Sequence, residues 1–179
     1  MGHSTRSLDE LVALLKEFEV ALLADVRRFP GSRRYPHFSR DILAMRLPAA
    51  GIEYRHEADL GGRRAARPDS PNDAWRAAAF RGYADHMATR EFAAALQRVI
   101  ESASRRSVLM CAEAVPWRCH RQLIGDALVA HGLDVQHILG PGQVMPHALH
   151  PQARVTSEGC VVYDLPAPGR LPLFSRSDD

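Results

Sequence analysis

The stretch Val20-Ala21-Leu22-Leu23-Ala24-Asp25-Val26 constrains the fold of this chain more than any other. A strand with one face in water alternates apolar and polar residues. An unbroken apolar run predicts instead a central parallel strand covered on both faces. Upstream, Ser7 and Glu10 form a capping box ahead of a helical stripe of Leu8, Leu11, Val12, Leu14, Leu15 and Phe18. A second short apolar run, Ser107-Val108-Leu109-Met110, ends at Cys111, and a helix is predicted over residues 119–130, closed by His131-Gly132.

Between these runs the pattern keeps alternating. A basic loop spans residues 27–38, a helix begins after Ser39 and stops at Gly51, and a short strand covers residues 52–56. Residues 57–72 form a long polar loop, and loops of that length inside a compact domain are usually functional or mobile. A helical region starts at Asn72 or Asp73, with Trp75, Ala78, Ala79, Tyr83 and Met87 on one face, and restarts at Thr89. Residues 134–139 read as a strand, Gly140-Pro141-Gly142 as a break, residues 159–163 as an edge strand, and residues 175–179 as a frayed end. Strands alternating with helices predict one three-layer α/β domain with a mostly parallel sheet, helices on both faces and an irregular C-terminal tail. The core is placed in residues 1–140 and the Pro-rich tail in 141–179.

Composition adds limits rather than identity. At 46% hydrophobic and 25% charged, the chain has ordinary globular proportions. A net charge of +2 does not mark a nucleic-acid binder, yet ten arginines and only four acids lie between Arg27 and Arg67. That cluster is either an anion-binding face or a compositional bias, since 22 of the 23 basic residues are Arg. Three cysteines without a secretory signal predict free thiols in a reducing, cytoplasmic setting. Apolar runs fall short of the roughly 18 residues that cross a bilayer, so no membrane partner is expected.

The residues that could carry chemistry gather where strands end, because ligands of open α/β sheets bind outside the carboxyl ends of the strands. Cys111 ends one strand, and Cys119 opens the following helix beside Arg118, His120 and Arg121. A helix N-terminus and neighbouring cations lower a thiol pKa, and the thiolate is the nucleophile. Cys111, Cys119, Glu113 and Asp25 are the candidate catalytic residues. Arg27, Arg118, His120, Arg121, His3 and Ser4 are the candidate substrate-binding residues. The alternatives are a Cys111 that is merely a small buried hydrophobe and an Asp25–Arg27 pair that ties down a loop. The spacing C-x7-C-H matches no ordinary zinc pattern, so no metal is assigned, and whether a cofactor is used is not written in the sequence. Trp117 is the aromatic placed to touch a substrate, whereas Trp75 has core spacing. Cys160 reads as structural, His131 as a helix cap, and His147 and His150 as surface residues unless the tail folds back.

Several of these positions together resemble the family called domain of unknown function 488. The resemblance rests on Gly2-His3-Ser4, Asp25-Val26-Arg27 with Pro30, Ser32, Pro36 and Phe38, Leu60-Gly61-Gly62, Tyr83, and the paired signature Cys111-Ala112-Glu113 with Cys119-His120-Arg121. It reaches to about His137 and implies a compact α/β domain without implying an activity. It also implies a short apolar strand ahead of Gly-His-Ser; either the natural start lies upstream of Met1, or the chain has been trimmed, or the sheet lacks that strand, in which case an open sheet edge is expected. Rhodanese sulfurtransferases and cysteine phosphatases are similar in layout only. Arg118 lies seven residues after Cys111, one too many for a C-x5-R phosphate loop, and residues 112–117 hold no glycine to wrap an anion.

Three functions follow from these residues. The first is a cysteine enzyme acting on an anionic, phosphate-bearing substrate such as a nucleotide or nucleic acid, with Glu113 or Asp25 as acid or base. The second is a nucleic-acid-binding module without catalysis. The third is a structural domain whose cysteines are inert or hold a metal. The oligomeric state is not written in the sequence.

Overall fold

A computed structural model describes residues 1–31 and 33–165. Ser32 and the predicted frayed end at 175–179 lie outside the described residues. The elements run α1 (Leu8–Glu17), β1 (Leu22–Asp25), α2 (Arg40–Ala49), β2 (Glu53–His56), α3 (Ala78–Met87), α4 (Arg90–Glu101), β3 (Ser107–Met110), α5 (Arg121–Ala130), β4 (Gln136–Gly140), β5 (Gln143–Pro146), β6 (Arg154–Val155) and β7 (Val161–Val162). The class is α/β.

The apolar run becomes the middle strand of a parallel sheet in the order β2-β1-β3. All four residues of β1 are buried. Its neighbours separate the two sides of the chain. Leu23, Val108 and Met110 join an apolar cluster with Leu11, Leu15, Leu43 and Leu47 from α1 and α2. Leu109 packs instead against a second cluster built from α3, α4 and α5 around Tyr83, Phe92, Leu96 and Leu123. The capping box of α1 forms as the sequence predicts, with the Ser7 hydroxyl accepting from Glu10 N–H and the Glu10 carboxylate accepting from Ser7 N–H.

The N-terminal residues lie along the free side of β3. Gly2 makes a single parallel bridge to Cys111, His3 N–H donates to Cys111 O, and Cys111 N–H donates to Met1 O. A Cβ on Gly2 would collide with the backbone carbonyl of Glu113, so only glycine lets this segment approach the Cys111 loop.

Three predicted elements differ. Residues 72–77 are not helical, and α3 begins at Ala78. The Asn72 side chain, expected to start the helix, is diverted to long-range partners: its amide donates to Asp85 and its carbonyl accepts from Tyr163 N–H. The strand predicted over 134–139 does not join the parallel sheet. It pairs antiparallel with β5, and Gly140-Pro141-Gly142 becomes the hairpin turn, with Gly142 at φ 63°. His147 is not a surface residue. Its side chain is fully buried, because the segment after β5 folds back onto α5.

That return is fixed by one buried carboxylate. Asp126 accepts from His147 Nε2–H at 2.8 Å, from His150 N–H at 3.0 Å and from Tyr163 O–H at 2.6 Å. His147 Nδ1 in turn lies 2.8 Å from His137 Nε2. The buried charge therefore has a donor on each oxygen, which is the condition under which burial is tolerated. No helix among the described residues is long and apolar enough to cross a membrane.

Candidate active site

Asp25 and Met110 are register partners, so the ends of β1 and β3 share one rim, with Cys111 one residue further on. The two strand ends carry different chemistry.

At the end of β1, Asp25 is wholly buried and ringed by donors. Arg27 Nε–H reaches Oδ1 at 2.8 Å, Arg27 NH2 reaches Oδ2 at 2.5 Å, Arg27 N–H reaches Oδ1 at 3.1 Å and Tyr54 O–H reaches Oδ2 at 2.9 Å. The same guanidinium donates to Phe38 O and lies 3.4 Å from His3 Nε2. His3 is buried against Phe38, with ring centroids 4.1 Å apart. Burial and the Arg27 cation push the His3 pKa down to about 4, so its ring is neutral near pH 7. Ser4 continues this segment with φ 52° and donates its N–H to Ala112 O.

At the end of β3, three reactive side chains converge. The sulfurs of Cys111 and Cys119 and a ring nitrogen of His120 all lie within 4.8 Å of one another. Cys119 follows a short turn at Pro116–Arg118, and α5 starts two residues later than the sequence predicts, with His120 at its N-cap. The Cys119 sulfur accepts from Arg121 Nε–H at 3.4 Å and lies 3.6 Å from His120 Nδ1. Arg121 is itself buried and anchored by donating to Glu113 O. His120 Nε2–H donates to Val26 O at 2.9 Å, because a carbonyl can only accept. That bond fixes the ring and leaves Nδ1 facing the sulfur. One proton can thus be shared between Cys119 and His120, the arrangement of a nucleophile with its base.

The pair of thiols is strongly polarised. Cys119 is held far below the ordinary thiol range: the neighbouring Cys111 thiol contributes most, and His120 and the Arg121 cation add to it against the cost of burial. Cys111 moves the other way, upward, because of the Cys119 sulfur beside it and its own burial.

Both sulfur-bearing residues reach the wall of a pocket of about 280 Å³. Arg27, Arg28, Arg63 and Arg118 also line it, with Glu113 as the one carboxylate among its described lining residues. Arg63 and Arg118 have no hydrogen-bond or ion-pair partner for their guanidinium groups among the described residues. Arg28 donates to Arg63 O at 2.9 Å and lies over the exposed Phe29 ring. Gly62 closes one side: a Cβ there would stand 2.8 Å from His120 Nδ1, so a larger residue would push the imidazole off the sulfur.

The candidates named from the sequence therefore divide. Cys111, Glu113, Arg118, Cys119, His120 and Arg27 line the pocket. Arg121 stands behind it as the cation on Cys119. Asp25, His3 and Ser4 are outside its lining and hold Arg27 and the Cys111 loop. Trp117 is 55% exposed and is not part of the wall. Arg28, Phe29, Arg63 and Tyr83 are wall residues that were not among the candidates. The concentration of arginine between residues 27 and 67 was the available signal for two of them.

Cys111, Cys119 and His120 are also the residues that could hold a metal. Bonds of roughly 2.0–2.3 Å in a tetrahedral zinc site put ligands about 3.3–3.8 Å apart, and the Cys119–His120 separation of 3.6 Å fits. The carbonyl bond to Nε2 is the usual outer support of a metal-binding imidazole. Opposing this, the Arg121 guanidinium already occupies the Cys119 sulfur.

No curated protein and no solved structure matches the chain. The model of the family described as "Domain of unknown function DUF488" matches residues 7–128. This span takes in the Asp25–Arg27 end of β1, the Leu60-Gly61-Gly62 turn and the whole Cys111-to-Arg121 loop. With most of its length matched, and with the thiol site inside the matched part, the chain belongs to the DUF488 family.

Proposed function

We propose that the protein is a cysteine enzyme acting on a small, phosphate-bearing anion held in the arginine-lined pocket beside the Cys119 thiolate. The observation that carries this proposal is the Cys119 sulfur itself, in contact with Arg121 and His120 and lining a pocket whose other charged residues are mostly guanidinium groups. A thiolate held by fixed donors is a standing nucleophile at neutral pH. Arg63 and Arg118, whose guanidinium groups have no partner among the described residues, and Arg28 at the mouth supply the fork geometry that suits phosphate oxygens. His120 exchanges the proton with Cys119, and Glu113 is the acid or base at the wall. Asp25, His3, Ser4 and Arg27 are positioning residues: they set the loop from which Arg28 and Phe29 project. The scaffold is taken as a three-layer domain, with α1 and α2 on one face of the sheet and α3 to α5 on the other, as the two separate apolar clusters support.

Alkylation of Cys119 by iodoacetamide, with and without inorganic pyrophosphate, tests the anion site. Pyrophosphate is expected to slow the reaction, less so in Arg118→Ala and less so at high salt. Equal rates with and without it at low salt would remove the anion from the proposal.

A second use of the same face is supported by one observation. Phe29 is 63% exposed beside Arg28 at the pocket mouth, a pairing that suits stacking on a nucleobase next to a phosphate. A gel shift with single-stranded oligonucleotides at two salt concentrations examines it, and no shift at low salt would set it aside.

A further inference from the structure

The two thiols face each other more closely than a nucleophile alone requires. Cys111 is fixed at the end of β3 by backbone bonds on its free side to Met1 and His3. Cys119 sits in extended backbone between the Pro116–Arg118 turn and α5. Residues 112–114 between them form an exposed bend. The two sulfurs are within 4.8 Å, both residues line the same pocket, and Arg121 contacts one of the sulfurs from behind. Cys160 is exposed, lines a different cavity with Phe92 and Ala127, and is not part of this group.

We propose that Cys119 and Cys111 form a hydroperoxide-reducing couple, with Cys119 attacking, Cys111 resolving, and an internal Cys111–Cys119 disulfide as the product. The Cys119 thiolate attacks one peroxide oxygen. An S–O bond forms, the O–O bond breaks, and the departing alkoxide or hydroxide takes a proton from water in the pocket. Cys119 is then a sulfenic acid, oxidised by two electrons, and the peroxide is reduced to an alcohol or water. Cys111 next loses its proton, its sulfur bonds to the Cys119 sulfur, and hydroxide leaves and combines with that proton as water.

Geometry assigns the two roles: the Cys119 sulfur is the one in contact with Arg121 and His120, and the Cys111 sulfur stands within 4.8 Å of it at the end of β3. This couple shares with the preceding proposal only the thiolate at Cys119; it needs no anion in the pocket.

The test uses the full chain, reduced and freed of metal by a chelator, and treated with one equivalent of cumene hydroperoxide. Two of the three thiols are expected to disappear. Peptide mapping should find Cys111 joined to Cys119, with the bond reopened by dithiothreitol. The exposed Cys160 is an internal reference and should react at least about tenfold more slowly, as an ordinary thiol does. In Cys111→Ser, the sulfenic acid should persist at Cys119 and be trapped by dimedone, which also reports on attack if Cys119→Ser fails to fold. A link through Cys160, a dimedone adduct at Cys119 of the unaltered chain without any disulfide, or oxidation no faster than that of Cys160 would overturn the proposal. So would recovery of one tightly held zinc or iron per chain with both sulfurs as ligands. Failure of pyrophosphate protection with the disulfide still formed would leave this couple standing and remove only the anion site.

Discussion

The ends of β1 and β3 stand side by side and hold a buried charge each, yet the two charges have different fates. Asp25, at the end of β1, has every lone pair directed at a donor: three bonds from Arg27 and one from Tyr54. Nothing is left for a ligand, and it is outside the pocket lining. Cys119, beyond the end of β3, has its sulfur held by Arg121 and His120 and also lines the pocket. A charge whose partners surround it completely builds structure. A charge with partners on one side and a cavity on the other is poised for chemistry. The Asp126 cluster belongs with Asp25: its oxygens are filled by His147, His150 and Tyr163, and it clamps the returning chain to α5.

This contrast breaks most readily through stability. Asp25→Ala leaves the buried Arg27 guanidinium unpaired and is expected to cost about 3–5 kcal/mol in urea unfolding, the usual penalty for removing one partner of a buried ion pair. Cys119→Ala should cost no more than about 1–2 kcal/mol, because Arg121 keeps its bond to Glu113 O and the pocket admits water. Equal losses in the two variants would show that Cys119 is as structural as Asp25.

Acid separates the two sites by a smaller amount. Burial lowers His3 and His137 from 6.5 to about 4, with Arg27 acting further on His3 and His147 on His137. Between those values the unfolded chain binds protons that the folded chain refuses, so stability is full above about pH 6.5 and declines as pH falls toward 4. The expected loss is about 1–2 kcal/mol for each histidine after allowing for solvent screening. His3→Gln and His137→Gln should each flatten the decline. A urea midpoint that does not move from pH 7 to pH 5 would contradict both assignments. Cys119 should remain a thiolate throughout this range, so the framework weakens before the site is neutralised.

The smallest effect concerns the cation behind the sulfur. Arg121→Met keeps a long apolar side chain and removes the charge, so the Cys119 pKa should rise while the neighbouring Cys111 thiol and His120 keep it below an ordinary thiol. Monobromobimane labelling as a function of pH reads the shift; an unchanged profile would mean that Arg121 only packs.

Much of the frame was legible in local sequence. The unbroken apolar run suits a covered central strand, and the Ser7–Glu10 box set the start of α1 by nearest-neighbour bonds. The failures came where distant residues decide. Asn72 looks like a helix start until Tyr163, far along the chain, takes its carbonyl. His147 looks exposed until Asp126 provides a buried acceptor. Residues 134–139 look like another strand of the main sheet until the Gly140-Pro141-Gly142 turn sends the chain back along β4. At the candidate site, Cys111, Cys119 and His120 were visible as a cluster because they are close in sequence. That Asp25 would face inward to Arg27 while Arg63 would line the pocket depends on how the loops pack, which no local pattern records.

The central claim is that Cys119 is a thiolate at neutral pH without help from substrate. Ultraviolet thiolate absorbance, titrated in the unaltered protein and in Cys119→Ala, measures this directly. The difference between the two should be one thiolate, constant from neutral pH down to the onset of acid unfolding. A difference that appears only as pH rises through about 8.5, the value of an unperturbed thiol, would contradict the account.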